Sequence, residues 1–270
     1  MPELPEVETT VRALRPLLVG RTITGVRNDW PRHLGNVDLA TLQQQIHGRS
    51  FQTVTRRGKY LVFNLSDGAA LIIHLRMSGH LAVVDGGAAP QPHVHTIFAL
   101  ENGQELRFKD PRKFGKVYLA HDLAEVLGGL GPEPLATDFT AAVLQERLNG
   151  RKRALKPLLL DQTFIAGVGN IYADEALFAA RLHPQRAANS LSQEEIVVLH
   201  GAIQRVLRLG IAREGASIDL YVKPDGTRGD MQNAVNVFRR TGQPCYVCGR
   251  PIERMVLGGR STHFCADCQI

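Results

Sequence analysis

Apolar residues recur every three to four positions at the start of the chain and at a shorter period soon after. Val7, Val11, Leu14 and Leu18 fall on one helical stripe. Pro5 suits the first turn of such a helix, where a missing N–H costs little, and Gly20 can end it. From residue 50 the pattern changes. SFQTVTRRGKYLVFNL and AALIIHLRMSGHLAVV read as strands, with Asp67-Gly68 as a hairpin signal between them. HTIFAL and QELRF flank a second such signal, Asn102-Gly103, and KVYLA reads as another strand. Short strands separated by turn signals predict an antiparallel sandwich or barrel over roughly the first 130 residues.

GGLGPEPL, residues 128–135, concentrates glycine and proline where the strand pattern stops, and is the best linker candidate. Helices are expected beyond it. Val143, Leu144 and Leu148 form one stripe, and IYADEALFAA, following AGVGN, forms another helical stretch. Ser192 and Glu195 fit a capping box, with Ile196, Leu199, Ile203, Val206 and Leu207 continuing at helical spacing. ASIDLYVKPDGTRGDMQN is polar and glycine-rich, and reads as a loop.

Composition adds a partner and a metal. The 270 residues carry 32 Lys+Arg against 26 Asp+Glu, a formal charge of +6, which suggests a polyanionic partner only weakly by itself. The basic residues are clustered: Arg56, Arg57 and Lys59; Lys109, Arg112, Lys113 and Lys116; Arg151, Lys152, Arg153 and Lys156; Arg240, Arg250 and Arg254. Each cluster alone is ordinarily surface charge, but their recurrence favours a shared polyanion cleft. Glycines in AGVGN would let backbone N–H groups of a helix start approach a phosphate, although G-x-G-x-x-G is incomplete because Tyr172 takes the place of the third glycine. No apolar run is long enough to cross a bilayer, and the acidic N-terminus lacks the features of a signal peptide, so a cytosolic protein is expected. All four cysteines lie near the end, as Cys245-x2-Cys248 and Cys265-x2-Cys268. Free or redox-active thiols are the bland alternative, but two such knuckles match a four-thiolate zinc site. Four protein ligands leave no open position, which makes that metal structural. His93 and His95 lack a carboxylate at supporting spacing and do not read as a second metal site.

PELPEVET, RRGKYL, HLRMSG, DPRKFG, LGPEPL, GVGNIYADE and the terminal cysteine pairs follow in this order from Pro2 to Cys268. Together they resemble formamidopyrimidine-DNA glycosylase, a bacterial base-excision repair family. Leu4 stands where the related endonuclease VIII type usually has glycine; Arg76 stands where many relatives have glycine, and Lys113 where arginine is common. The resemblance implies an α+β multidomain fold: a β-sandwich with a leading helix over 1–131, a helix–two-turn–helix domain over 132–235 with a lesion loop at 216–232, and a zinc ribbon over 236–270. It implies one structural zinc ion per chain, damaged double-stranded DNA as partner, no membrane, action as a monomer, and residence in the bacterial cytosol or nucleoid.

By itself MPELPEVE reads as an ordinary helix start. The resemblance gives it a further use: with methionine removed, Pro2 becomes a secondary-amine nucleophile that displaces oxidised purines such as 8-oxoguanine and formamidopyrimidines. The resulting cationic Schiff base then drives β- and δ-elimination. Glu3 is implied as general acid, Lys59 as proton donor for β-elimination, and Arg260 as the group assigned to δ-elimination. Guanidinium is a poor acid, so Arg260 fits a phosphate clamp better. His93, Arg112 and Arg151 match DNA contacts, and His74 and Asn170 are implied to reach phosphates near the lesion. Met77, Arg112 and Phe114 match the trio that fills the hole left by a flipped nucleotide, although Met77 and Phe114 would ordinarily be core residues. Competing readings are a non-enzymatic DNA-binding protein, a tautomerase with an N-terminal proline base, and a sister glycosylase for oxidised pyrimidines.

Overall fold

The structure, a computed structural model, describes residues 1–89 and 91–270. The described chain forms two units: Met1–Gly129 with Arg213–Asp230, and Leu130–Ala212 with Met231–Ile270.

The first unit opens with α1 (Leu4–Leu18), whose stripe of Val7, Val11, Leu14 and Leu18 is fully buried. The helix stops at Val19, and Gly20 follows in the left-handed region. After β1 (Ile23–Asn28) and α2 (Leu39–Ile46) come β2 (Phe51–Arg57), β3 (Tyr60–Leu65), β4 (Ala70–His74), β5 (His80–Asp85), β6 (Val94–Leu100), β7 (Gln104–Lys109) and β8 (Lys116–Ala120). Two antiparallel four-stranded sheets result, in the orders β1-β6-β7-β5 and β2-β3-β4-β8. Leu61, Phe63, Leu71 and Ile73 from one sheet and Leu81, Phe98, Leu106 and Phe108 from the other share one core with the α1 stripe. Both hairpin signals join paired strands: β3–β4 around Asp67-Gly68 and β6–β7 around Asn102-Gly103. AALIIHLRMSGHLAVV supplies β4 to one sheet and β5 to the other, so the turn at Arg76–Gly79 is where the chain changes sheets. A short α3 (Ala124–Leu127) closes this part.

In the second unit α4 (Ala141–Leu148), α5 (Leu155–Leu159), α6 (Asn170–Ala179) and α7 (Gln193–Ala212) precede a two-stranded ribbon, β9 (Glu253–Leu257) and β10 (Arg260–Phe264). The capping box at α7 forms: Glu195 Oε2 accepts from Ser192 N–H at 2.8 Å, and Ser192 Oγ accepts from Glu195 N–H at 3.3 Å. α6 and α7 approach closely because Gly210 faces the Tyr172 ring; a Cβ there would stand 2.4 Å from a ring carbon. The ribbon's own apolar cluster is small, comprising Val237, Cys245, Ile252 and Cys265 with Phe178 of α6. The segment Arg213–Asp230 packs with the sandwich unit, whereas the sequence reading groups residues 216–232 with the helical domain.

Candidate active site and metal centre

The first unit holds Pro2, Glu3, Lys59, His74, Met77, His93, Arg112 and Phe114; the second holds Arg151, Asn170, Arg260 and the four cysteines. Pro2 and Glu3 are buried at the entrance to α1, with Glu3 only 3% exposed. Sequence reasoning did not single out the residue that fixes them there. Glu6 Oε2 accepts from Glu3 N–H at 2.7 Å, the capping-box arrangement, while Glu6 Oε1 accepts from Ala216 N–H at 2.8 Å. One carboxylate thus ties the chain start to the 213–230 segment. Gly215, at φ +83°, permits this: a Cβ there would lie 2.9 Å from Glu6 Cγ. Tyr221 donates to the Glu6 carbonyl at 3.3 Å, and burial, followed by the Glu6 charge, pushes its phenol pKa up. His80 of β5 holds the far side of the segment, its Nε2–H donating to Lys223 O at 2.9 Å. The signal for Glu6 was in the sequence, three residues after Glu3, but its second partner is 210 residues away.

Lys59 and His74 are also buried, at the open end of the β3–β4 hairpin, where Tyr60 and His74 pair in register and their rings meet edge to face at 4.5 Å. Arg76 N–H donates to His74 Nδ1 at 2.9 Å, which places the ring proton on Nε2. Burial, then the charges of Arg76 and Lys59, hold the His74 pKa down at about 3, so His74 is a neutral N–H donor at physiological pH.

Met77 and Phe114 are exposed, at 39% and 50%, rather than in the core as their residue types alone suggest. Their two turns are fastened by a fully buried carboxylate. Asp110 Oδ1 accepts from Ser78 Oγ, Asp110 Oδ2 accepts from Gly115 N–H at 2.6 Å, and Ser78 Oγ accepts from Arg112 N–H at 3.2 Å. His33 lies 3.5 Å from the same carboxylate. Burial opposes ionisation of Asp110, but hydrogen bonds from His33, Ser78 and Gly115 outweigh it and hold the pKa at about 2. The Arg112 guanidinium lies 5.3 Å from the Phe114 ring centroid, and Lys113 Nζ lies 4.2 Å from that of Trp30. His93 is exposed at φ +69°.

In the second unit several basic residues do not join a phosphate surface. Lys156 is fully buried, 2.6 Å from Asp174 Oδ1, and donates to Ser261 O at 2.7 Å. Asp174 Oδ2 accepts from both N–H and Nδ1–H of His263 at 3.0 Å. Arg240 is also buried; it donates to Pro244 O at 2.8 Å and stacks 3.5 Å from the Tyr246 ring centroid. Arg250 stays exposed, in a surface ion pair with Asp267 at 2.9 Å. Sequence clustering cannot separate a buried cation such as Lys156 from exposed ones, because its partners, Asp174 and Ser261, lie in other elements. Arg151 and Arg260 are exposed. Arg260 follows Gly258 and Gly259, both left-handed, at the ribbon turn. Asn170 opens α6 with Nδ2 donating to Ser261 O at 3.0 Å, one residue from Arg260. Glu175, one turn on, accepts from the backbone N–H groups of Asn236, Val237 and Phe238 at 2.8–2.9 Å and so fastens the approach to the ribbon.

The four cysteine sulfurs all lie within 4.8 Å of one another, with Cys245–Cys268 at 3.9 Å and Cys248–Cys265 at 3.4 Å. Tetrahedral zinc with bonds of about 2.3 Å has sulfur–sulfur edges of about 3.8 Å. The sulfurs therefore fit one structural zinc, and the small ribbon core explains why the fold needs it. Among the described residues this is the one group of His, Cys, Asp or Glu able to hold a metal.

Comparison with known proteins decides the family. Residues 1–117 match the formamidopyrimidine-DNA glycosylase N-terminal domain, 130–222 its H2TH domain, and 242–270 a zinc finger found in FPG and IleRS. The chain belongs to the formamidopyrimidine-DNA glycosylase family. Among curated relatives, the formamidopyrimidine-DNA glycosylase of Symbiobacterium thermophilum is 49% identical over all of this chain and 89% of its own. The MutM (Fpg) protein of Thermus thermophilus superposes with TM-score 0.90 at 44% identity, covering 99% of this chain and 98% of that one. Lactococcus lactis Fpg in complex with DNA containing an abasic site gives TM-score 0.92 at 38% identity, covering 99% of each chain. The α+β architecture of sandwich, H2TH helices and four-cysteine finger is that of the family. No helix among the described residues is long and apolar enough to cross a membrane.

Proposed function

We propose that this chain is a base-excision DNA glycosylase and AP lyase that removes oxidised purines from duplex DNA through an N-terminal proline Schiff base. The observation that carries the reading is the chain start: Pro2 and Glu3 are buried and held by the Glu6 carboxylate in a chain of this family. With Met1 removed, the Pro2 nitrogen is a secondary amine. Its lone pair forms a bond to C1′ of the damaged nucleotide; the base leaves with the glycosidic electrons and takes up the proton that the attacking amine sheds. Glu3 protonates the sugar ring oxygen as the ring opens. Two ring carbons on the nitrogen leave the adduct an iminium with no N–H proton to lose, so it stays cationic. That charge acidifies C2′–H, whose loss expels the 3′ phosphate; a second elimination expels the 5′ phosphate. Lys59 serves the first elimination, and Arg260 neutralises a departing phosphate. Met77, Arg112 and Phe114 fill the vacated stack, which offsets an unstacking cost of a few kcal/mol. His74, His93, Arg151 and Asn170 complete the DNA contacts, and residues 216–232 flank the extruded base. In this reading the domain limits are 1–131, 132–235 and 236–270, and the enzyme works as a monomer in the bacterial cytosol.

Borohydride reduction in the presence of an 8-oxoguanine duplex, followed by intact mass spectrometry, tests this. The expected mass is that of the methionine-free chain plus the sugar–DNA adduct. Pro2→Gly should slow strand cleavage sharply while retaining duplex binding. Full cleavage by that variant, or no adduct with the unmodified sequence, would remove Pro2 from the chemistry. Parallel duplexes carrying formamidopyrimidine or thymine glycol determine the lesion class.

A further inference from the structure

The turn between β4 and β5 contains an arginine that none of the roles above uses. Arg76 has φ +53°, a left-handed backbone that costs a non-glycine residue about 1–2 kcal/mol and that glycine would adopt freely. Its side chain is exposed, and its guanidinium makes no hydrogen bond or ion pair among the described residues. The strained backbone therefore does not serve an internal contact of that side chain. It does fix the position of the residue. Arg76 N–H is anchored on His74 Nδ1 at 2.9 Å, and His74 is itself packed against Tyr60, next in sequence to Lys59. The neighbouring Ser78 is tied to Asp110, so both sides of the turn are held. The His74 ring, neutral with its proton on Nε2, adds an uncharged donor beside the two cations.

We propose that Arg76 is a phosphate-binding residue, adding one backbone contact to the duplex at the turn it shares with Met77. A planar guanidinium offers paired donors to a phosphate, and a protein gains salt-dependent affinity for each phosphate it neutralises. This rests on the reading of the protein as a duplex-DNA enzyme. It goes beyond the implied roles of Lys59 and His74 by assigning a contact to a residue for which the resemblance gives no role.

The test is the salt dependence of binding, by fluorescence anisotropy, to a duplex carrying a tetrahydrofuran abasic analogue. Arg76→Gly suits it, because glycine accepts the left-handed backbone and keeps the N–H that reaches His74. Loss of one phosphate contact should lower the slope of log K against log salt by about 0.9. Equivalently, the affinity ratio of unmodified chain to variant should shrink by about 3.5-fold between about 50 and about 200 mM salt. Arg76→Lys, which keeps the charge, should restore most of the slope. An Arg76→Gly slope equal to that of the unmodified chain overturns the assignment, even if affinity falls, because a purely structural role leaves the slope unchanged. If the unmodified chain itself shows no salt-dependent binding, the DNA reading fails, and this assignment with it.

Discussion

Lys156→Met removes the ammonium of a fully buried ion pair while nearly preserving side-chain length. In the second unit Lys156 Nζ lies 2.6 Å from Asp174 Oδ1, both side chains being completely inaccessible, and also donates to Ser261 O at 2.7 Å. At that separation, Coulomb attraction with an effective dielectric constant of about 20 is about 6 kcal/mol. Desolvation of the two ions offsets much of this, so the pair adds little relative to an apolar replacement of both. Removing one partner is different. Asp174 would keep its two His263 donors but would hold a buried charge with no cation opposite, a state that costs about 3–5 kcal/mol. The loss should appear in denaturant titrations followed by zinc release to a chromogenic chelator, which reports unfolding of the unit containing the cysteines. Adding Asp174→Asn to Lys156→Met removes the stranded charge, so the double variant should be more stable than the sum of the single losses by about 1–3 kcal/mol. A Lys156→Met variant within about 0.5 kcal/mol of the unmodified chain, or strict additivity in the double variant, would refute the reasoning.

Acid stability should depend on Asp110. Its pKa is about 2 in the folded chain against an ordinary 3.8, so the stability it adds is present above about pH 4 and is lost as pH falls through 2. Asp110→Asn should flatten that part of the stability profile by up to about 2 kcal/mol in urea titrations at stepped pH; an unchanged acid slope would contradict the assignment. Gly210→Ala should destabilise the second unit by about 1–3 kcal/mol, despite a helix-propensity gain of about 1 kcal/mol, because the new methyl meets the Tyr172 ring. A raised thermal midpoint would show that α6 and α7 can separate at no cost.

Residues close in sequence announced the elements that local chemistry dictates. The α1 stripe, both hairpin turns, the α7 capping box and the two cysteine knuckles are short-range patterns, and a chain has few ways to satisfy them. β1 and α2 escaped that reading: one has a glycine-broken alternation and the other is only eight residues long, so neither period is strong. The candidate site was legible where the motifs resemble a family, and it was not legible where a role depends on burial. Lys152, Arg153 and Lys156 look alike as a run of cations, yet only packing against Asp174 removes Lys156 from the surface. Met77 and Phe114 look like core residues, yet they stand exposed on two turns that the Asp110 carboxylate fastens. Glu6 reads as a helix-cap acid until a backbone N–H from residue 216 arrives at its second oxygen. The sequence by itself determined the periodicities, the caps and the ligand set for the metal, because those depend on neighbours a few bonds away. Tertiary structure alone decided which charges are neutralised and which are presented, because charge pairing and desolvation depend on groups brought together from distant parts of the chain.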